Sequence, residues 1–150
     1  MNELTSAAVP PVGPEDHRRG EGPELFVYAD LGCPHCASAW AEIVEREATV
    51  VFRHFPVASK HRRSPALHAA AEAAGMQGRF FEMVDSIYAD RGHVDDPHIW
   101  QRAARLGLDL ESFEADRRSA AVTARVRRDF ESGIRAGVTA TPAIFSPDHT

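Results

Sequence analysis

Cys33 and Cys36 are the only cysteines in the 150-residue chain, and only Pro34 and His35 separate them. They follow a short apolar run and stand where a helical pattern begins. A thiolate at a helix N-terminus is stabilised by the helix dipole and by backbone N–H groups that have no partner inside the helix. Pro34 suits the first helical turn, since the N–H it lacks would have had no acceptor there. His35 can place a positive charge beside Cys33. All three features favour thiolate over thiol at Cys33, and the thiolate is the form that attacks disulfides and binds metals.

The spacing leaves three chemistries to weigh: thiol-disulfide exchange, metal ligation and a non-catalytic remnant. Zinc takes four ligands in a structural site, or three plus water in a catalytic one. His35 and His54 are available, but no second ligand pair stands at metal-site spacing, so no metal is expected. Redox exchange is the favoured reading, and it needs no cofactor because a Cys33–Cys36 disulfide itself carries the electrons.

The elements that must hold this pair read clearly. Leu25–Ala29 is a continuous apolar run of the kind buried on both faces of a parallel sheet. Asp30-Leu31-Gly32 turns the chain. From Pro34, the positions Ala37, Trp40, Ala41 and Val44 predict one apolar helix face. Thr49–Phe55 reads as a second strand ended by Pro56, which completes a strand–helix–strand unit with parallel strands.

A block of helices follows. Ser64-Pro65 predicts a cap and first turn for an Ala-rich helix that Gly75 stops. Residues 79–89 follow, then a start at Asp96-Pro97 and a cap at Asp109. Val122, Val126, Phe130 and Ile134 mark a longer amphipathic helix. Gly137–Pro142 returns the chain to a third strand, Ala143–Phe145.

Composition bounds the rest. A chain of 150 residues with 43% hydrophobic and 26% charged content is ordinary for one globular domain. A net charge of −5 gives no reason to expect nucleic-acid binding. Residues 1–24 hold no apolar segment of signal-peptide length, so the sequence as written predicts a cytoplasmic protein; a trimmed sequence would be extracytoplasmic. No segment is apolar enough to insert into a membrane.

Together these residues resemble the DsbA-like thiol-disulfide oxidoreductases, bacterial proteins with a thioredoxin fold interrupted by a helical insertion. The resemblance spans roughly residues 16–146. It is carried by Cys33-Pro34-His35-Cys36, by Phe52-Arg53-His54-Phe55-Pro56 and the Ala-rich helix after it, by Gln77-Gly78-Arg79-Phe80-Phe81-Glu82-Met83, by Leu106-Gly107-Leu108-Asp109, and by Gly137-Val138-Thr139-Ala140-Thr141-Pro142. The nearest subgroup resembles domains fused to sodium/proton antiporters. The resemblance implies an α/β fold with residues 24–56 and 137–150 as the thioredoxin-like core, 57–136 as the helical insertion and 1–23 as a flexible arm.

It also implies roles. Cys33 is the exposed nucleophile and Cys36 the buried resolving thiol. Pro34 and His35 tune the pair toward the oxidising end of the family. Thr141-Pro142 is a cis bond beside Cys33 and shapes the substrate site, where an extended peptide could pair as an added strand. Partners would be protein or peptide thiols and a thiol redox partner. The alternatives are a glutathione-using relative and an interaction module without turnover.

Two departures stand out. The position six residues before Cys33, where such enzymes carry a buried acid, is Val27; Asp30 or a water would have to substitute. The family fold also continues past the third strand with a paired strand and a closing helix, which this chain lacks as it stands. An uncovered edge strand invites a second copy to pair there.

Other residues carry weaker signals. His54 reads as a core histidine. The run from Lys60 to Arg63 reads as a solvated loop, with substrate-charge recognition as its alternative. Arg125, Arg127 and Arg128 read as the wet side of their helix. Phe80, Phe81, Trp100 and Phe113 read as core or groove lining.

Overall fold

A computed structural model describes residues 8–146. The elements run β1 (His17–Arg19), β2 (Glu24–Ala29), α1 (Pro34–Ile43), β3 (Thr49–His54), α2 (Ser64–Gly75), α3 (Phe80–Ala89), α4 (Asp96–Arg105), α5 (Leu110–Arg117), α6 (Ala120–Arg135) and β4 (Ala143–Phe145). The strands form one sheet in the order β1-β3-β2-β4. β2 and β3 are parallel, with Val27 opposite Phe52, while β1 and β4 flank them antiparallel.

β2 is central, and its residues point alternately to two cores. Val27 and Ala29 join a large cluster with Trp40, Ile43, Phe52, Leu67, Phe80 and Met83. Tyr28 joins a smaller cluster with Phe55 and Val138, against which Phe130 packs. The sheet is thereby covered by α1 and the helical block on one face and by α6 on the other. α6 approaches closely at Gly133, where a Cβ would sit 2.7 Å from a ring carbon of Phe55 and 2.9 Å from one of Tyr28. Any larger residue would push α6 off the sheet.

Residues 17–19, assigned to a flexible arm by the sequence reading, are instead the edge strand β1. Side chains hold them there. Arg19 makes a two-pronged ion pair with Asp85 and lies over the Trp40 and Phe81 rings. The His17 ring stacks on Phe80, with 3.6 Å between centroids. Just before β1, Asp16 pairs with the buried Arg53 at 2.9 Å. Residues 1–7 of that arm lie outside the described residues.

Several local expectations shift by one position. The buried face of α1 is Cys36, Trp40 and Ile43, while Val44 is exposed. The cap of α4 is Asp95, which accepts the His98 amide, not Asp96. Asp109 caps α5 as expected. Ile134 and Trp100 are exposed, Trp100 donating to Glu114. Arg125 is mostly buried against Asp129 at 2.7 Å, although Arg127 and Arg128 do face solvent.

Candidate redox site

β2 ends at Ala29, and the next four residues form a tight turn that delivers Cys33 to the start of α1. Cys33 is the N-cap in extended conformation, no side chain caps the helix, and Pro34 opens its first turn. No acidic residue sits in the first turn of α1, so no side chain of the helix itself opposes the positive end of its dipole. Both cysteines are free thiols. Their burial corrects one expectation: Cys33 is only 5% exposed, against 2% for Cys36. Pro34 and His35, between them, are exposed.

Every backbone N–H of the turn has a stated acceptor. The Asp30 amide donates to the Cys36 sulfur at 3.4 Å. The Leu31 amide donates to His68 Nε2 at 2.9 Å. The Gly32 amide donates to the Asp30 carboxylate at 2.9 Å. The Cys33 amide donates to the Asp30 carbonyl at 3.1 Å. Gly32 is required by contact: a Cβ there would run into Ser64 Oγ and His61.

Asp30 anchors the turn. Its carboxylate also accepts from Ser64 Oγ at 2.5 Å and from the Val57 amide at 3.0 Å. Burial works against its charge, but the hydrogen bonds from Ser64 and the Gly32 amide favour the ionised form and hold its carboxyl below the ordinary carboxylate value. Asp30 is therefore a weak base. Its carboxylate serves the turn, and only its backbone amide faces Cys36, so it does not stand in for the acid replaced at Val27. Val27 itself is fully buried in the apolar core. Ser64 differs from expectation too: Arg63 is the α2 cap, and Ser64 points to Asp30.

Burial pushes the Cys36 thiol up to about 12, and the neighbouring Cys33 sulfur pushes the same way. The Asp30 amide and the Thr141 hydroxyl oppose this. The structure thus brings Thr141, from the far end of the chain, beside Cys36. The Thr141-Pro142 peptide bond is cis, and β4 begins at the next residue. On the other side, the Tyr88 hydroxyl of α3 donates to the Asp30 carbonyl at 3.0 Å. Burial raises the Tyr88 phenol well above its ordinary range, and Cys36 and Asp30 add to that. Tyr88 and His68 escaped the sequence reading. Nothing local in the sequence indicates that they face the turn, which lies 58 and 37 residues away from them, respectively, along the chain.

His54 is a core histidine, fully buried, but it belongs to a chain of polar contacts. Its Nδ1 lies 2.7 Å from His68 Nδ1, and its Nε2 lies 2.8 Å from Glu72 Oε2. His17 Nε2 reaches the same Glu72 oxygen at 2.5 Å. The protons in this chain are determined. His68 Nε2 accepts the Leu31 amide, so the imidazole proton must sit on Nδ1. His54 Nδ1 must then accept, and its proton sits on Nε2, donated to Glu72. The Asp30 carboxylate, 3.5 Å from His68 Nε2, consequently forms no ion pair with it.

This pattern bears on metal binding. His17, His54 and Glu72 place three donor atoms within 4.8 Å of one another, and zinc accepts such donors. However, a metal at His54 Nε2 would force that proton onto Nδ1, displace the His68 proton to Nε2 and set it against the Leu31 amide. The donor set fits the hydrogen-bond chain and not a metal.

In the loop Lys60–Arg63, Lys60 and Arg62 are exposed, while His61 and Arg63 are half-buried and Arg63 pairs with Asp96 at 2.7 Å. Among the described residues, no helix is long and apolar enough to cross a membrane.

Comparison with known proteins agrees with this geometry. The thioredoxin family model matches residues 22–150. The chain is 37% identical over 155 residues to a Na(+)/H(+) antiporter NhaA of Herminiimonas arsenicoxydans, covering 95% of this chain but 24% of that protein. It is 38% identical to NhaA 3 of Salinispora tropica, covering 90% of this chain and 22% of that protein. The chain thus spans about a quarter of the length of these relatives. A thioredoxin-like oxidoreductase from Silicibacter pomeroyi superposes with a TM-score of 0.80 at 23% identity, covering 91% of this chain and 82% of that one. DsbA2 of Pseudomonas aeruginosa superposes with a TM-score of 0.69 at 21% identity, covering 92% and 84%. With a helix-capping cysteine pair, a cis-proline strand entry and this match over most of its length, the chain belongs to the thioredoxin family and has the DsbA-like form of its fold.

Proposed function

We propose that the protein is a thiol-disulfide oxidoreductase acting on protein or peptide thiols, working in the oxidising direction through Cys33 and Cys36. The observation that carries this is the placement of both cysteines at the N-terminus of α1 with Thr141, which precedes a cis proline, beside Cys36.

In the oxidised protein a substrate thiolate attacks the Cys33 sulfur. A substrate–Cys33 disulfide forms, the Cys33–Cys36 bond breaks, and its electron pair leaves on the Cys36 sulfur. The raised affinity of Cys36 for a proton means that this sulfur is then protonated from solvent. A second substrate thiolate attacks the substrate sulfur, forming the substrate disulfide and releasing Cys33 as thiolate. Two substrate thiols are oxidised and the protein pair is reduced, to be reoxidised by a thiol redox partner. Pro34 and His35 tune the pair from the exposed surface. Thr141 and Pro142 present an edge on which an extended substrate could pair. No cofactor enters this scheme.

The supporting experiment is oxidative refolding of a reduced dithiol peptide by the oxidised protein. Turnover lost in Cys33→Ser is expected. An unchanged rate in that variant would refute the assignment, and a redox equilibrium with glutathione near thioredoxin's value would refute the oxidising direction.

The antiporter relatives favour a second reading, in which the domain is a redox module attached to an ion-transport protein and reports its thiol state without turnover. It predicts reversible Cys33–Cys36 oxidation with no multiple-turnover refolding.

A further inference from the structure

The turn before Cys33 has one amide whose acceptor comes from outside the redox site, and that acceptor is a neutral histidine with a single permitted tautomer. We propose that His68, locked as its Nδ1–H tautomer by His54 and Glu72, is a positioning residue for the dithiol: it fixes the Leu31 amide and thereby aims the Asp30 amide at the Cys36 sulfur.

Geometry carries the inference. Leu31 is 1% exposed, so its N–H cannot turn to water and must have a protein acceptor. The other three amides of the turn are committed to Asp30 and Cys36. His68 is fully buried, and its second nitrogen ends on His54. His54 in turn ends on Glu72, which His17 of β1 also holds. The chain therefore runs from the sheet edge to the residue adjoining Asp30, and each link permits one proton arrangement. If His68 could not accept, Leu31 N–H would be left unpaired or the turn would rotate. Rotation would draw the Asp30 amide off Cys36 and remove a donor that favours the Cys36 anion, the leaving group when substrate attacks the disulfide.

This rests on the dithiol reading above, so two measurements are paired. The first is long-range 1H–15N correlation of the histidine rings in wild-type protein at neutral pH. The expected pattern is a proton on Nδ1 of His68 and on Nε2 of His54, with a coupling across the hydrogen bond from Leu31 N to His68 Nε2. A His68 ring protonated on Nε2 overturns the proposal, and this readout needs no variant to fold.

The second is the glutathione redox equilibrium of His68→Leu and His68→Gln. Gln can offer an oxygen near the Nε2 position; Leu cannot. His68→Leu is expected to shift the equilibrium at least fivefold toward the oxidised form, with His68→Gln within about twofold of wild type. A purely structural role would lower the melting temperature of both and leave the equilibrium unchanged, which would overturn the proposal. If His68→Leu does not fold, His68→Asn, too short to reach Leu31, takes its place with the same expectation. Correct tautomers with no measurable wild-type redox equilibrium would sink the dithiol reading and this role with it. A normal equilibrium with the wrong tautomers would sink this role alone.

Discussion

The backbone amide of Asp30 donates to the sulfur of Cys36 at 3.4 Å, while the Asp30 side chain turns away to Ser64 and Val57. One residue thus serves the redox pair through its main chain and the turn through its carboxylate. The two cysteines are set apart by this arrangement, since Cys36 is enclosed from every side and its thiol is pushed up to about 12.

Selective alkylation follows. Reduced protein treated with iodoacetamide near pH 8 should be labelled at Cys33 and spared at Cys36, as read by peptide mass spectrometry. Cys33→Ser should remain unlabelled under the same conditions. Prompt labelling of Cys36 would contradict the burial and the raised proton affinity described above.

Replacing Asp30 by Asn should be costly. The amide group can still accept from Gly32 or Ser64, but one carboxylate oxygen becomes an NH2 facing a donor, the Val57 amide. A loss of about 2–3 kcal/mol in denaturant unfolding is expected from one buried donor left unpaired and a charge-assisted set broken. An unchanged midpoint would mean that the turn does not depend on the carboxylate.

Stability should fall in two stages as pH is lowered. Burial holds His68 at about 4, below its ordinary 6.5, against the pull of the Asp30 and Glu72 carboxylates. Between those values the unfolded chain binds a proton and the folded one does not, so stability declines from about pH 6.5 to 4. The cost is of order 3 kcal/mol. Below that, Asp30, held below its ordinary value by Ser64 and Gly32, and Glu72, held far down by His17 and His54 despite burial, withdraw their support as they protonate. His68→Gln should flatten the first stage and leave the second. Unfolding free energies measured by denaturant between pH 2 and 8 would read the first stage in full and the descent into the second, and equal slopes in the two proteins between pH 4 and 6.5 would refute the assignment.

Gly133→Ala should weaken the fold without altering the redox pair. Its methyl would overlap the Phe55 and Tyr28 rings on the face of the sheet opposite α1. A loss of about 1–3 kcal/mol is expected from overpacking. The glutathione equilibrium should stay at its wild-type value, and a shift of more than about twofold would show that α6 bears on the dithiol.

What could be read locally was read correctly where one residue's chemistry decided it. The Asp109 cap, the strand pair flanking α1 and Pro34 in the first turn all agree with expectation, and the Thr141-Pro142 bond is cis as the family resemblance implies. Periodicity served less well when a helix offered two nearly equal faces. In α1 the small residues Ala37 and Ala41 made a plausible stripe, but Cys36, Trp40 and Ile43 face the core. Trp40 directs that choice, since its ring packs against Phe52, Phe81 and Tyr88 and its N–H needs Asp85. His17 was hidden for a different reason: a three-residue strand in a polar stretch has no pattern of its own and exists through its side-chain partners.

By itself the sequence determined the spacing of the cysteine pair, its helix-start setting and the strand–helix–strand frame, because each depends on residues within a turn or two of one another. Only the tertiary structure decided what surrounds the sulfurs. Asp30 is drawn to Ser64 and Val57, Leu31 to His68, Cys36 into the company of Thr141, and His54 into a chain with His68, Glu72 and His17. These contacts join residues far apart along the chain. Which buried donor meets which acceptor follows from how the sheet and helices pack, since every polar group shut away from water must find its partner among the groups that packing brings near.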